Sequence, residues 1–394
     1  MTTWVSGTRP APARAGGTPR CGLVLGGGGM LGAAWTVGAL CAVEEATGRR
    51  PGDAEVVLGT SAGAVLGALL AAGVGTDQLR DHQRGLPITT GPLAGADFDY
   101  DLAVGGALPP RPRAGIGSPR LLRDAVRHPR EYPLLTLVSA MAPHGRGSLE
   151  SVGALVDGLY GDRSAGPSDA DAYDAGRSGE GLLGGAGGTG AARAGAAPLG
   201  GGGRASALRV VAVDYRGGHR VVFGDPDAPP AGLGEAVMAS CAIPGWFAPV
   251  RVGGAEYVDG GCWSATNADL LLGRGLDEVY VLAPMALLSD PPGRPQPGHS
   301  ESVPGASGFA RARHGRDLPR ELLVQLLGRY RRAVTRQLLR EAGLLRAGGV
   351  RVHLLAPAPA DLAVMGPNMM DPSRRGPVLE SALDTCRRVL AAAR

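Results

Sequence analysis

No Lys occurs anywhere in the 394 residues, so all 40 Lys-plus-Arg positions are Arg. A lysine-dependent phosphate loop is therefore excluded. The absence itself fits the bias of a GC-rich coding sequence toward Gly, Ala and Arg, and carries no functional reading. Aromatics make up only 4% of the chain, and no Arg-rich run is interleaved with them. With a formal charge of only +4, nucleic acid is not an expected partner. Cysteine is scarce too: Cys21, Cys41, Cys241, Cys262 and Cys386 are odd in number, scattered, and lack the C-x-x-C pairing of a zinc site. They read as reduced core thiols of a cytoplasmic protein. Met1 to Arg20 has no apolar stretch of secretory-signal type and is expected to be a flexible tail. Val56 to Val74 approaches the length of a membrane span, but it holds Thr60 and Ser61 and is broken by four glycines. It reads as a buried strand followed by a buried helix, in a soluble or peripheral protein. Asp97, Asp99 and Asp101 have the spacing that opens a calcium loop, yet Leu102 stands where Gly is required, so no metal is expected.

What is present is a repeated strand-turn-helix pattern. The apolar run Cys21 to Leu25 ends in Gly26 to Gly29, and Met30 to Glu45 suits a buried helix. Val56 to Leu58 and Ser61 to Ala72 repeat the pattern, which predicts a βαβ unit in a parallel sheet. Leu208 to Asp214 and Arg220 to Phe223 flank Arg216, Gly217 and Gly218 as a hairpin. Ala255 to Val258, Val279 to Leu282 and Val350 to Leu355 are further strands. Leu318 to Glu341 carries Leu322, Leu326, Tyr330 and Val334 on one face and Arg332, Arg336 and Arg340 on another. It is either a surface helix packed on the core or a membrane-facing one. Residues 163–206 are almost entirely small and polar and read as a disordered insert, while 290–316 is a Pro- and Gly-rich flexible loop.

Gly59-Thr60-Ser61-Ala62-Gly63 is a G-x-S-x-G pentapeptide placed between a strand and a helix, the context that a nucleophile turn requires. The glycine loop lies one βα unit upstream and so emerges at the same sheet edge as Ser61. Its amides, with that of Ala62, are placed to face the oxyanion of an ester undergoing attack. Gly27, Gly29 and Gly32 also satisfy G-x-G-x-x-G, with Asp53 or Glu55 about twenty residues on, so a dinucleotide-binding oxidoreductase is an alternative. A catalytically silent lipid-binding protein is another. Asp259, followed by Gly260 and Gly261, ends a strand and is either a turn residue or the base for Ser61. As a base it needs desolvation or a close contact with the serine, because an ordinary carboxylate is too weak. Among the histidines only His353, in an apolar strand, offers a Ser, Asp, His chain order.

The glycine loop, the serine pentapeptide one βα unit later and the distant Asp259-Gly260-Gly261 together resemble the patatin-like phospholipase family. Ala239 to Gly245 resembles it as well, and Gly366 to Asp371 resembles its bacterial members. The resemblance covers about Cys21 to Gly161 and Leu208 to Arg388. It implies a three-layer α/β/α fold with a mainly parallel sheet, as one domain over residues 21–394 interrupted by the insert and the loop. It also implies lipid esters as substrates and no cofactor or metal. Ser61 would be the nucleophile and Asp259 the base, with Gly27, Gly28, Gly29 and Ala62 as oxyanion donors. One departure is Leu31, where many family members carry Arg or Lys.

Overall fold

The computed structural model describes residues 18–95, 111–164, 207–288 and 320–392. Strand β1 (Cys21–Leu25) leads through the glycine loop into α1 (Gly29–Thr47), and β2 (Val56–Thr60) leads into α2 (Ala62–Ala71) and α3 (Thr76–Gln83). Helices α4 (Pro119–Arg127), α5 (Leu134–Met141) and α6 (Glu150–Ser164) follow. The chain resumes with the hairpin β3 (Leu208–Asp214) and β4 (Arg220–Phe223), then α7 (Leu233–Cys241), β5 (Val250–Val252), β6 (Ala255–Asp259) and β7 (Glu278–Leu282). It closes with α8 (Arg320–Ala347), β8 (Arg351–Leu355), α9 (Pro359–Met365) and α10 (Arg375–Ala392).

One sheet runs in the order β5-β6-β3-β2-β1-β7-β8, with β4 also paired to β3. Its central pairs are parallel; β4, β5 and β6 add antiparallel pairs at one side. The central strands are apolar along their whole length because both faces are covered. Leu23, Leu25, Val57 and Val210 point into the layer formed by α1, α2, α7 and α10. Their neighbours in sequence, Val24, Leu58 and Val211, point the other way, where α8 supplies Val334, Leu338, Ala342 and Leu345. This period-two alternation makes the α/β/α sandwich.

In α8 the apolar stripe is thus spent on the sheet, and Arg332, Arg336 and Arg340 are exposed. Of the two readings of this helix, packing on the core is the one realised; the side chains of Leu322 and Leu326 lie outside the described residues. Arg20, expected from the sequence to belong to a flexible tail, is held in place: its amide donates to Asp277 (2.7 Å) and its guanidinium pairs with Glu55, while residues 1–17 lie outside the described residues. Residues 163–164 close α6, while 165–206 and 290–316 lie outside the described residues, as do Asp97, Asp99 and Asp101. Among the described residues no helix is long and apolar enough to cross a membrane.

Candidate active site

Ser61 alone makes the turn between β2 and α2, at φ 53° and ψ −125°. Only one other non-glycine described residue has positive φ, Asn267, and it sits in the ordinary left-handed region (φ 53°, ψ 28°). An L-residue in the Ser61 conformation stores about 1–3 kcal/mol of strain and persists only where its surroundings hold it. The flanking glycines are needed for that hold. A Cβ on Gly59 would stand 2.6 Å from Ala64 Cα, and one on Gly63 would collide with the Leu25 carbonyl oxygen. Ser240 of α7 supplies a further clamp, accepting from the Ser61 amide (2.9 Å) and donating to Val211 O (2.6 Å).

Sheet register brings Asp259 to this turn. At Val211 and Ala212 one edge of β3 is occupied by β4, through Val222 and Val221. The other edge pairs Thr60 with Val211 and Asp259 with Ala212. Strands β2 and β6 therefore meet end to end along one flank of β3, and the last residue of each lies beside the other's turn. Asp259 is buried, and one of its oxygens accepts from Gly261 N at 2.6 Å. Desolvation pushes the carboxyl up to about 6, with the nearby Ser61 hydroxyl and the Gly261 bond pulling the other way. Of the two conditions set for a lone carboxylate base, desolvation is present, and the register places Asp259 beside the serine turn. Asn267 ties the two turns together, donating to Thr60 Oγ1 (3.2 Å) and Ser264 O (2.7 Å).

The glycine loop requires one correction. Gly27 N–H donates to Ala265 O at 2.8 Å, so this amide is a structural bond and not a donor for an oxyanion. Gly27 still matters by size, because a Cβ there would stand 3.1 Å from Ser61 Cβ. The amides of Gly28, Gly29 and Ala62 have no backbone acceptor among the described residues. Those of Gly29 and Ala62 begin α1 and α2, where helix geometry leaves the first amides unpaired. Packing on the serine with its Gly27 amide tied, the loop does not offer the open pyrophosphate cradle that the G-x-G-x-x-G alternative needs.

Behind the loop stands a cation that the sequence pattern did not reveal. Arg331 of α8 is buried, donates to Pro284 O (3.0 Å) and contacts Met369 Sδ (3.5 Å). Pro284 walls Gly28, with its Cγ 2.9 Å from where a Cβ would sit, and Met369 O accepts from Leu31 N (2.9 Å). No carboxylate pairs with Arg331 among the described residues. Burial lowers its pKa to about 10. Farther along α8, the buried Glu341 accepts from Thr266 Oγ1 (2.6 Å) and Ala268 N (2.9 Å), fixing the turn that carries Ala265 and Asn267. The only sequence signal for Ser240 was its place in the segment 239–245; Asn267, Arg331 and Glu341 had none.

His353 is not part of this site. It stacks on Tyr280 (4.4 Å between ring centroids) and lies 3.7 Å from Glu278, the first residue of β7. The serine is beyond the opposite, C-terminal edge of the sheet, so the Ser, Asp, His order is a coincidence of sequence. Cys241 is buried against the site and its thiol is pushed well up by desolvation; none of the five cysteines is in a disulfide.

From Gly29, Ser61 and Ala62 a cavity of about 110 Å³ extends between α2, α3 and α6, with Val65, Leu69, Leu79, Val152 and Phe247 among its apolar walls. His82 and Gln83 also line it. Burial, reinforced by the charge of Arg375, lowers the His82 pKa to about 4, so the ring is neutral at pH 7.

No curated protein matches the chain. Among solved structures, VipD from Legionella pneumophila aligns at 20% identity and a TM-score of 0.31, over 64% of this chain. The alignment spans 46% of VipD itself. The family model for patatin-like phospholipase matches residues 23–272, more than half of the chain and a segment containing both Ser61 and Asp259. The chain belongs to the patatin-like phospholipase family.

Proposed function

We propose that this protein hydrolyses carboxylic esters of lipids in two acyl-transfer steps, with Ser61 as nucleophile and Asp259 as its base. Family membership supports lipid acyl hydrolysis in general. The observation that carries the specific reading is the strained Ser61 turn at one end of an apolar cavity, set by sheet register beside a desolvated carboxylate. Asp259 takes the hydroxyl proton as Oγ bonds to the ester carbonyl carbon. The carbonyl oxygen becomes an oxyanion facing the amides of Gly28, Gly29 and Ala62, where each donor lowers such barriers by about 3 kcal/mol. Collapse breaks the bond to the alcohol, which leaves with the proton held on Asp259. Water then gives a proton to Asp259 and attacks the acyl-enzyme; the acid is released and the proton returns to Ser61. The acyl chain occupies the apolar cavity. Arg331 braces the walls of the glycine loop and adds positive potential behind it, on the helix where it faces the loop segment bearing Leu31.

Intact-mass analysis after fluorophosphonate treatment tests the assignment, run beside fatty-acid release from phospholipid vesicles. The unsubstituted protein is expected to gain one adduct and release fatty acid, and Ser61→Ala to do neither. Labelling that persists in Ser61→Ala, or a folded protein that never labels, overturns it; vesicle binding without turnover would then favour a silent lipid-binding protein.

A further inference from the structure

Helices α4 and α5 form an antiparallel pair, closed where Ser118 N donates to Ala140 O (3.0 Å). Its inner side is anchored beside the catalytic turn. Thr136 Oγ1 donates to Cys262 O (2.8 Å), three residues past Asp259; Ser118 Oγ donates to Tyr215 O (2.6 Å); and Tyr132 meets Trp263 edge-on. Leu121, Ala125 and Ala140 are buried there. The outer side is different. Leu134, Val138 and Met141 recur at i, i+4 and i+7, hence on one face of α5, and they are 71%, 56% and 56% exposed. Ile116 and Val126 add exposed apolar surface before and at the end of α4. Such a stripe on a short helix is not ordinary surface.

Charge tells what covers it. Residues 111–146 hold seven Arg against only Asp124 and Glu131, in a chain whose whole net charge is +4. All seven are exposed, among them Arg120, Arg123, Arg127 and Arg130 along and just after α4. Apolar side chains flanked by cations match a bilayer whose headgroups are anionic. They fit poorly to a second copy of the same surface, which would bring like charges together. After Arg146 the same segment runs through Leu149 into α6, and Leu149 with Val152 and Leu155 of that helix lines the cavity reached from Ser61.

We infer that the outer face of α4 and α5 is a docking surface for an anionic phospholipid bilayer, which seats the cavity mouth against the membrane that holds the substrate. The inference rests on the lipid-ester reading of Ser61. It places membrane contact here and not on α8, whose apolar stripe is in the core.

The test is vesicle flotation with the full chain carrying Ser61→Ala, so that lipid is not consumed. Vesicles are phosphatidylcholine with or without phosphatidylglycerol. Leu134→Ser/Val138→Ser/Met141→Ser and Arg123→Glu/Arg127→Glu are each expected to weaken partitioning at least ~10-fold, and added salt to weaken the parent's. In the Ser61-containing chain both sets should leave hydrolysis of a water-soluble short-chain ester unchanged. Partitioning of the apolar variant equal to the parent's, or partitioning indifferent to phosphatidylglycerol and salt, overturns the inference. So does a parent dimer that the apolar variant dissociates without loss of vesicle binding, which would assign the face to a second copy. Vesicle binding that behaves as expected while the soluble ester is never cleaved would leave the docking surface standing and remove the hydrolase reading.

Discussion

Asp259→Asn should abolish turnover and at the same time make the protein more stable. The buried carboxyl titrates near 6, raised mainly by desolvation, whereas an unfolded Asp titrates near ~3.9. A gap of about 2 units corresponds to ~3 kcal/mol of preference for the neutral acid in the folded state. The sign follows from linkage: the folded pKa is raised, so its favourable contribution is complete below the unfolded value and is lost as pH rises through about 6. Above that pH the ionised Asp259 holds the native state down by the full amount. Asn removes the charge while its amide oxygen still accepts from Gly261 N, so most of this energy returns as stability. In a protein of this size it corresponds to a rise in Tm of ~4–5 °C. Calorimetric melting of both proteins at pH 8 and at pH 4 checks the argument. The gap should be present at pH 8 and nearly vanish at pH 4. A variant that melts no higher at pH 8, or a gap equal at the two pH values, refutes the claim that Asp259 is held ionised against its surroundings. The same ionisation should appear in activity. On a soluble ester, kcat/KM is expected to fall about 10-fold per pH unit below about 6.

Three further outcomes follow from the same geometry. Ser240→Ala leaves the Ser61 amide without its acceptor and should lower kcat about 10–100-fold with little change in KM, since ~1–3 kcal/mol of turn geometry is lost; steady-state kinetics on a soluble ester would show it. Arg331→Met should leave Tm within a few degrees, because removing a buried unpaired charge offsets the lost bonds. It should nonetheless lower kcat about 10-fold at unchanged KM, with Arg331→Lys recovering part of the loss; an effect on KM alone would deny Arg331 its place behind the loop. Val65→Trp narrows the cavity beside Ser61 and should raise KM for long-chain esters ~10-fold while sparing acetate esters, as read from a chain-length series.

Much of the architecture was legible along the chain. Unbroken apolar runs ending in glycine place β1 and β2 inside a doubly covered sheet, and the hairpin of β3 and β4 is set by residues in direct succession. The turn at Ser61 is local as well, since Gly59 lets α2 pack close to its own strand β2 and Gly63 lets it pack against β1. The sequence by itself therefore determined the two strand-turn-helix units and the place of the serine at the turn between strand and helix, because backbone strain, glycine sterics and periodic burial are properties of neighbours in the chain. Only the tertiary structure decided that Asp259 meets Ser61, since β6 must run head-on against β2 along one edge of β3, a matter of register between segments 198 positions apart. It also decided that Gly27 gives its amide to Ala265 and that His353 faces the opposite edge. It set a lone guanidinium from α8, outside the segment matched to the family, as the brace of the glycine loop. Hydrogen bonds and charges of this kind are chosen by what packing brings together, and no spacing in the chain encodes them.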